Sequence, residues 1–140
     1  MSKQPIIVVD ADAIIAQTNP EDIHHHNANA ISQNLVNINA QVIYPVTVIA
    51  EATTHMQRVL SNTTNAYGTV QLMTDSAAQV IEVNKQTLVT ALKYFSPTTS
   101  KKNTLFDCIV AAVARDYKAD AIFSFDKFYK KKGFKLASEL

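Results

Sequence analysis

The apolar pattern of the chain changes period several times, and each change predicts an element. IIVV at Ile6–Val9 is short, β-branched and preceded by Pro5, and reads as a buried strand. TNPED follows: Thr18 or Asn19 can cap, Pro20 suits a first helical position, and Glu21 and Asp22 suit the positive end of a helix dipole. A helix is predicted from there to about Asn37, with Ile23, Ala30, Ile31, Asn34, Leu35 and Ile38 roughly at helical spacing. QVIYP is a second strand, and VTVIAEATTHMQRVL a helix with Val48, Ile49, Ala52, Met56, Val59 and Leu60 inward. NAYGTVQLMTDSAAQ is a further helix and VIEV a short strand. KQTLVTALKYF is a helix stopped at Ser96-Pro97, before the polar loop SPTTSKKN. TLFDCIVAAVARDYKA is the clearest helix, capped by Thr104 or Asn103; DAIFSFD is a buried strand, and GFKLA after Gly133 an edge strand. Strands alternating with helices predict an α/β fold, a three-layer α/β/α sandwich with a mostly parallel sheet and right-handed crossovers.

The 140 residues suffice for one domain, expected to span 1–140, with a real hydrophobic core. No apolar run reaches the roughly 20 residues needed to cross a bilayer. The N-terminus lacks the cleavage pattern of a secretory signal, so no membrane partner is expected. The single cysteine, Cys108, allows no intrachain disulfide and makes a Cys/His zinc cage improbable; it points to a reducing cytoplasm. Net charge is close to neutral but unevenly spread. Lys101–Lys135 holds nine Lys and Arg against four Asp, a net of plus five, which leaves minus four elsewhere. A basic C-terminal third suits a polyanionic partner, or a solvated lysine surface.

The acids sit in telling places. Asp10 ends the first strand, Asp126 ends the last long one, and Glu51 lies in the helix that follows the second. In a parallel sheet all three point to the carboxyl ends of the strands, where open α/β sheets bind their ligands. Asp107 lies near the start of a helix that is apolar nearly all round and therefore buried. No Lys or Arg is interleaved to pair with these acids. Unpaired carboxylates at one site repel each other and take up protons, and a divalent cation resolves that conflict. An oxygen-only donor set suits Mg²⁺ or Mn²⁺, which can activate water and stabilise displacement at phosphorus. Taken singly each acid has a plainer role, as a turn former, helix cap or dipole acid. The four together point to a metal site, with Lys101, Lys102, Lys127, Lys130, Lys131 and Lys132 as a basic rim for a nucleic-acid backbone.

These residues carry a family likeness. IIVVDAD (Asp10), VTVIAEA (Glu51) and TLFDCIVAAVARDYKADAIFSFDKFY (Asp107, Asp126, with Ser124 two residues before the last acid) cover nearly the whole chain. In that pattern it resembles the PIN-domain nucleases, including the VapC-type toxins of toxin–antitoxin pairs. The resemblance implies a PIN-like fold and a Mg²⁺- or Mn²⁺-dependent endoribonuclease. Asp10, Glu51, Asp107 and Asp126 would hold the metal, Ser124 would support them, and water would be the nucleophile, leaving a 5′-phosphate and a 3′-hydroxyl. It further implies an RNA substrate, a small antitoxin partner and a homodimer. Two positions depart from the pattern. Ala11 replaces a common Thr or Ser, and Asp12 stands where a small polar residue is usual, as a further metal-shell acid or as a turn cap. Alternatives are a PIN nuclease of RNA processing or decay, and a PIN-like binding module without catalysis. A phosphotransfer receiver also has acids at strand ends, but the pairing of its acids and its Lys do not fit here.

Other features carry less. His24, His25 and His26 are consecutive, point about 100° apart on a helix and cannot hold one ion together; a surface or dimer-facing role suits them. His55 lies one turn after Glu51, either approaching the acids or half exposed. Cys108 reads as core. KFYKKKGFK mixes Lys with aromatics just after Asp126, suited to phosphates and base stacking or to a turn with snorkelling lysines.

Overall fold

The structure, a computed structural model, describes residues 3–140. Its strands are β1 (Ile6–Val9), β2 (Gln41–Pro45), β3 (Gln79–Ile81) and β4 (Ala121–Phe123). They form one sheet in the order β3-β2-β1-β4, with every pair parallel. The helices are α1 (Ala11–Thr18), α2 (His25–Asn37), α3 (Val46–Arg58), α4 (Thr63–Met73), α5 (Lys85–Ala91), α6 (Leu105–Asp116) and α7 (Phe128–Lys131). Steps from β1 to β2 to β3 run in one direction, so right-handed crossovers put α1–α4 on one face; α5 and α6 return the chain to β4 across the other. This is the expected α/β/α sandwich.

The core is the apolar β1 and β4 strands packed on α6. Ile7, Val8, Ile122 and Phe123 are buried, and so are Val110, Ala111, Ala112, Val113 and Ala114. The run of alanines lets α6 lie close to the sheet. Its first turn differs: Leu105 and Phe106 are each 40% exposed, so the helix is not buried along its whole length.

Several predicted elements shift. The helix expected from Pro20 to Asn37 starts only at His25, and α1 precedes it, beginning directly after Asp10. Asp10 is extended (φ −91°, ψ 162°) and its side chain accepts from the Ala11 N–H, so it caps a helix that starts at once. Strand and buried helix are both apolar here, so IIVVDADAII shows no change of pattern at the junction. The TNPED segment is instead a turn, in which Asn19 accepts from Glu21 N and Asp22 from His24 N. GFKLA does not form an edge strand. Its pairing is a single parallel bridge, Ile122 to Leu136, after which the chain turns into a 3₁₀ segment at Ala137–Glu139. KQTLVTALKYF is helical only to Ala91. The lysine-rich segment contains the short helix α7, which ends at Gly133 in a left-handed conformation (φ 93°).

Candidate active site

The strand order reverses direction between β1 and β4, and there the carboxyl ends of two adjacent parallel strands open a crevice. Register sets its floor. Val9 pairs with Phe123, and Asp10 N donates to Phe123 O at 3.0 Å, so Asp10 and Ser124 emerge side by side. Ser124 Oγ stands 3.0 Å from Asp10 Oδ2 and 3.0 Å from Asp12 Oδ2. A hydroxyl has one proton, so it donates to one carboxylate at a time, and the other contact is satisfied when that carboxyl is itself protonated. Asp126 N donates to the same Oγ at 3.1 Å, and Phe125 N donates to Asp12 Oδ2 at 2.8 Å.

The second wall comes from α6 and α7. Thr104 N donates to Asp107 Oδ2 at 3.1 Å, fixing the acid in the first turn of α6. Asn103 Nδ2 donates to Asp126 Oδ2 at 2.9 Å and reaches Asp107 Oδ2 at 3.4 Å. Asp126 Oδ1 accepts from Phe128 N at 2.9 Å, which starts α7. Tyr129, fully buried, aims its hydroxyl at Asp10 Oδ2, 2.9 Å away, and at Asp107 Oδ1, 3.4 Å away. Neutral donors therefore link Asp12, Asp10, Asp107 and Asp126 in a chain. Glu51 joins from α3, close enough to Asp107 and Asp12 for their charges to act on it.

The electrostatics follow from burial without cations. Burial first, then the charges of Asp12 and Asp107, push the Asp10 carboxyl well above the usual range. Burial raises Asp12 to about 6 against the opposing hydrogen bonds from Phe125 and Ser124. Glu51 rises to about 7 through burial, then through Asp107 and Asp12. Asp107 is also raised, chiefly by burial. Lys130 with Glu139, 3.7 Å apart, is the ion pair found among the described residues, so no lysine neutralises the cleft.

The donor set fits a hard divalent cation. Asp12 Oδ1 and Glu51 Oε1 are buried with no hydrogen-bond partner, and so is Thr47 Oγ1. Orphaned carboxylate oxygens beside proton-hungry neighbours are what a cation would satisfy. Among the described residues no group of three or more His, Cys, Asp or Glu side chains is drawn in to metal-ligating spacing. Ser124, Tyr129 and Asn103 hold the carboxylates apart. Mg²⁺ suits such a cleft, because it keeps several waters and takes only one or two carboxylates directly.

Residues 7–135 match the PIN domain family. The chain belongs to the PIN-domain family. A solved structure of similar fold is VapC20 of Mycobacterium tuberculosis, a toxin that cleaves the sarcin–ricin loop. It aligns with a TM-score of 0.79 at 18% identity, covering 91% of this chain and 95% of that one. No curated protein matches this PIN domain in sequence.

All five predicted acids and Ser124 thus gather at the carboxyl ends of β1 and β4. The lysines divide. Lys131 and Lys132 line a cavity together with Asn103, Lys101 lines a neighbouring one, and Lys102 and Lys127 are exposed. Lys130 is turned to Glu139. The histidines serve locally: His24 stacks on Phe125 at 4.2 Å, and His25 Nδ1 lies 2.7 Å from Ala16 O. Sequence reasoning did not assign Tyr129 or Asn103 to the acid cluster. Tyr129 was legible only as one aromatic among lysines, and Asn103 only as a possible cap.

No helix among the described residues is long and apolar enough to cross a membrane.

Proposed function

We propose that this PIN domain is a Mg²⁺- or Mn²⁺-dependent endoribonuclease, with the cleft between β1 and β4 as its active site. The observation that carries this reading is the set of four aspartates held on neutral donors with Glu51 beside them, two buried carboxylate oxygens unpartnered and, among the described residues, no lysine or arginine paired with any of the five. Asp10, Glu51, Asp107 and Asp126 would hold the ion, with Asp12 as a further acid. A bound divalent cation supplies a more acidic water and offsets charge developing at phosphorus.

The chain's own residues have separate tasks. Ser124 and Tyr129 hold Asp10, and Asn103 holds Asp126 beside Asp107, so the carboxylates are kept at one place, and a bound ion would draw them closer. Glu51 Oε1 is buried and unpartnered, which leaves it free to bind the ion or to orient the attacking water. The basic segment Lys101–Lys135 supplies the cations that an RNA backbone needs and the acid cleft lacks. The likeness to VapC20 supports a toxin role, with an antitoxin and a second copy of the chain as partners.

The test is cleavage of a mixed RNA pool by the purified protein, with Mg²⁺, with Mn²⁺ and with chelator, and Asp10→Ala in parallel. Metal-dependent scission by the parent and none by the variant is expected. Equal scission by both would place the activity outside this cleft.

A further inference from the structure

The loop Ser96–Asn103 between α5 and α6 has a cavity on either side, and it ends at the acid cluster. Its hydroxyls turn in on one another: Ser96 Oγ lies 3.1 Å from Thr98 Oγ1 and 3.4 Å from Thr99 Oγ1, while Ser96 N donates to Thr99 Oγ1 at 2.8 Å. One cavity, about 260 Å³, sets these hydroxyls against Lys131 and Lys132. The other, about 570 Å³, is walled by Leu92, Phe95 and Leu105, with Lys101 beside them. Ser96, Thr99, Ser100 and Asn103 line both. Asn103 is also the residue that donates to Asp126 and reaches Asp107.

The two cavities differ in chemistry. The first offers hydroxyl donors and two ammonium groups. Neither lysine pairs with a carboxylate among the described residues, and Lys132 Nζ rests 5.5 Å from the Phe128 ring centroid. That is the complement of a phosphate. The second offers apolar side chains left open to solvent, with Leu92 67%, Leu105 40% and Phe95 38% exposed. A flat apolar ligand that carries a negative charge nearby would use both cavities, and a nucleotide of an RNA strand is such a ligand.

We propose that the Ser96–Asn103 loop is a nucleotide subsite for the residue flanking the bond to be cut. Its phosphate lies among the loop hydroxyls, Lys131 and Lys132, and its base rests on Phe95 and Leu105. Because bases differ in stacking strength, this gives the protein a modest base preference at one position next to the cleavage point. The inference rests on RNA being the substrate of the acid cleft.

The experiment uses the full chain in two forms. Binding of short fluorescein-labelled single-stranded RNAs is followed by anisotropy across a salt series in an Asp10→Ala background, where the RNA stays intact. Cleavage ends are sequenced with Asp10 present. Lys131→Ala with Lys132→Ala is expected to weaken binding to all sequences alike and to flatten the logarithmic salt slope by about 1 to 1.5. Phe95→Ala is expected to weaken binding about five- to hundredfold and to level the base preference at one position beside the cut. Leu92→Ser, at a more exposed position, provides a second probe of the same wall, and thermal melts establish that each variant is folded. An unchanged salt slope in the lysine variant, or an unchanged base profile in Phe95→Ala and Leu92→Ser, overturns the subsite while leaving the nuclease standing. A dimer by light scattering that Phe95→Ala splits would also overturn it, because the apolar wall would then be an interface between copies. RNA neither bound nor cut by the parent chain removes the nuclease reading and this inference together.

Discussion

The two ends of the sheet treat an aspartate in opposite ways. At the amino end, Asp120 precedes β4 and is exposed; its Oδ2 accepts from Ile6 N at 2.8 Å, and its own N–H donates to Ile6 O at 2.7 Å. That carboxylate closes one gap between neighbouring strands and has water around it. At the carboxyl end, Asp10 is 4% exposed and feels the charges of three other acids, Asp12, Asp107 and Glu51. Its partners are the hydroxyls of Ser124 and Tyr129 and the Ala11 N–H, none of them charged. A fold in need of stability alone would not collect buried like charges at one crevice. The difference marks the carboxyl end as the place where buried like charge is left uncompensated, the pattern expected of a functional site rather than of a scaffold.

The largest expected contrast is in activity. Asp107→Asn should cut RNA cleavage by about a thousandfold or more, the scale of losing several kcal/mol of metal-assisted stabilisation. The same substitution should leave the metal-free melting temperature unchanged or raise it by a few degrees. It removes one buried charge, and the new amide oxygen can still accept from Thr104 N. Single-turnover cleavage and thermal melts of the same preparations check both halves. A drop of about 10 °C or more would make Asp107 structural and close the gap between the two ends of the sheet.

The second contrast is in pH dependence. Asp12 and Glu51 have folded values near 6 and 7, against about 4 in an unfolded chain. Between those limits the folded state binds more protons than the unfolded one, so metal-free stability falls as pH rises from about 4 to 7. After discounting Glu51 for its contact with solvent, the loss is about 3–5 kcal/mol. Melts in chelator should therefore show a lower melting temperature at pH 7.5 than at pH 5.5, and Mg²⁺ should recover most of the difference at pH 7.5 by binding the folded state. A melting temperature that climbs with pH in chelator, or that ignores Mg²⁺, would remove the repulsion on which the site reading depends.

The acids were legible because parallel α/β topology sends strand ends to one place, so Asp10, Glu51 and Asp126 could be grouped from position alone. Asp107 was legible because a carboxylate among apolar neighbours needs a reason. Where α1 begins was not legible, since the junction between β1 and α1 is apolar on both sides and only the side chain of Asp10 marks it. Tyr129 was hidden for another reason. Its hydroxyl meets Asp10, 119 positions earlier, and no local spacing records a contact across β4 and β1. The predicted strand at GFKLA failed because its alternation fits a strand, while a strand also needs a run of partners and β4 offers this segment a single bridge.

The smallest contrast belongs to the amino end. Asp120→Ala removes the acceptor for Ile6 N at the start of β1. Water can replace it there, because Asp120 is exposed and Ile6 only half-buried. The cost should be about 0.5–1.5 kcal/mol, a shift of a few degrees in melting temperature. Asp120→Asn keeps an acceptor oxygen and should recover most of that loss. Neither variant should alter the Mg²⁺-induced shift or the cleavage rate, since neither changes a charge in the crevice between β1 and β4. If Asp120→Ala weakened Mg²⁺ stabilisation as much as Asp107→Asn does, the two ends of the sheet would be energetically joined through β1. The strand would then transmit strain from one end to the other, and the acid cleft could no longer be treated as a site set upon an independent scaffold.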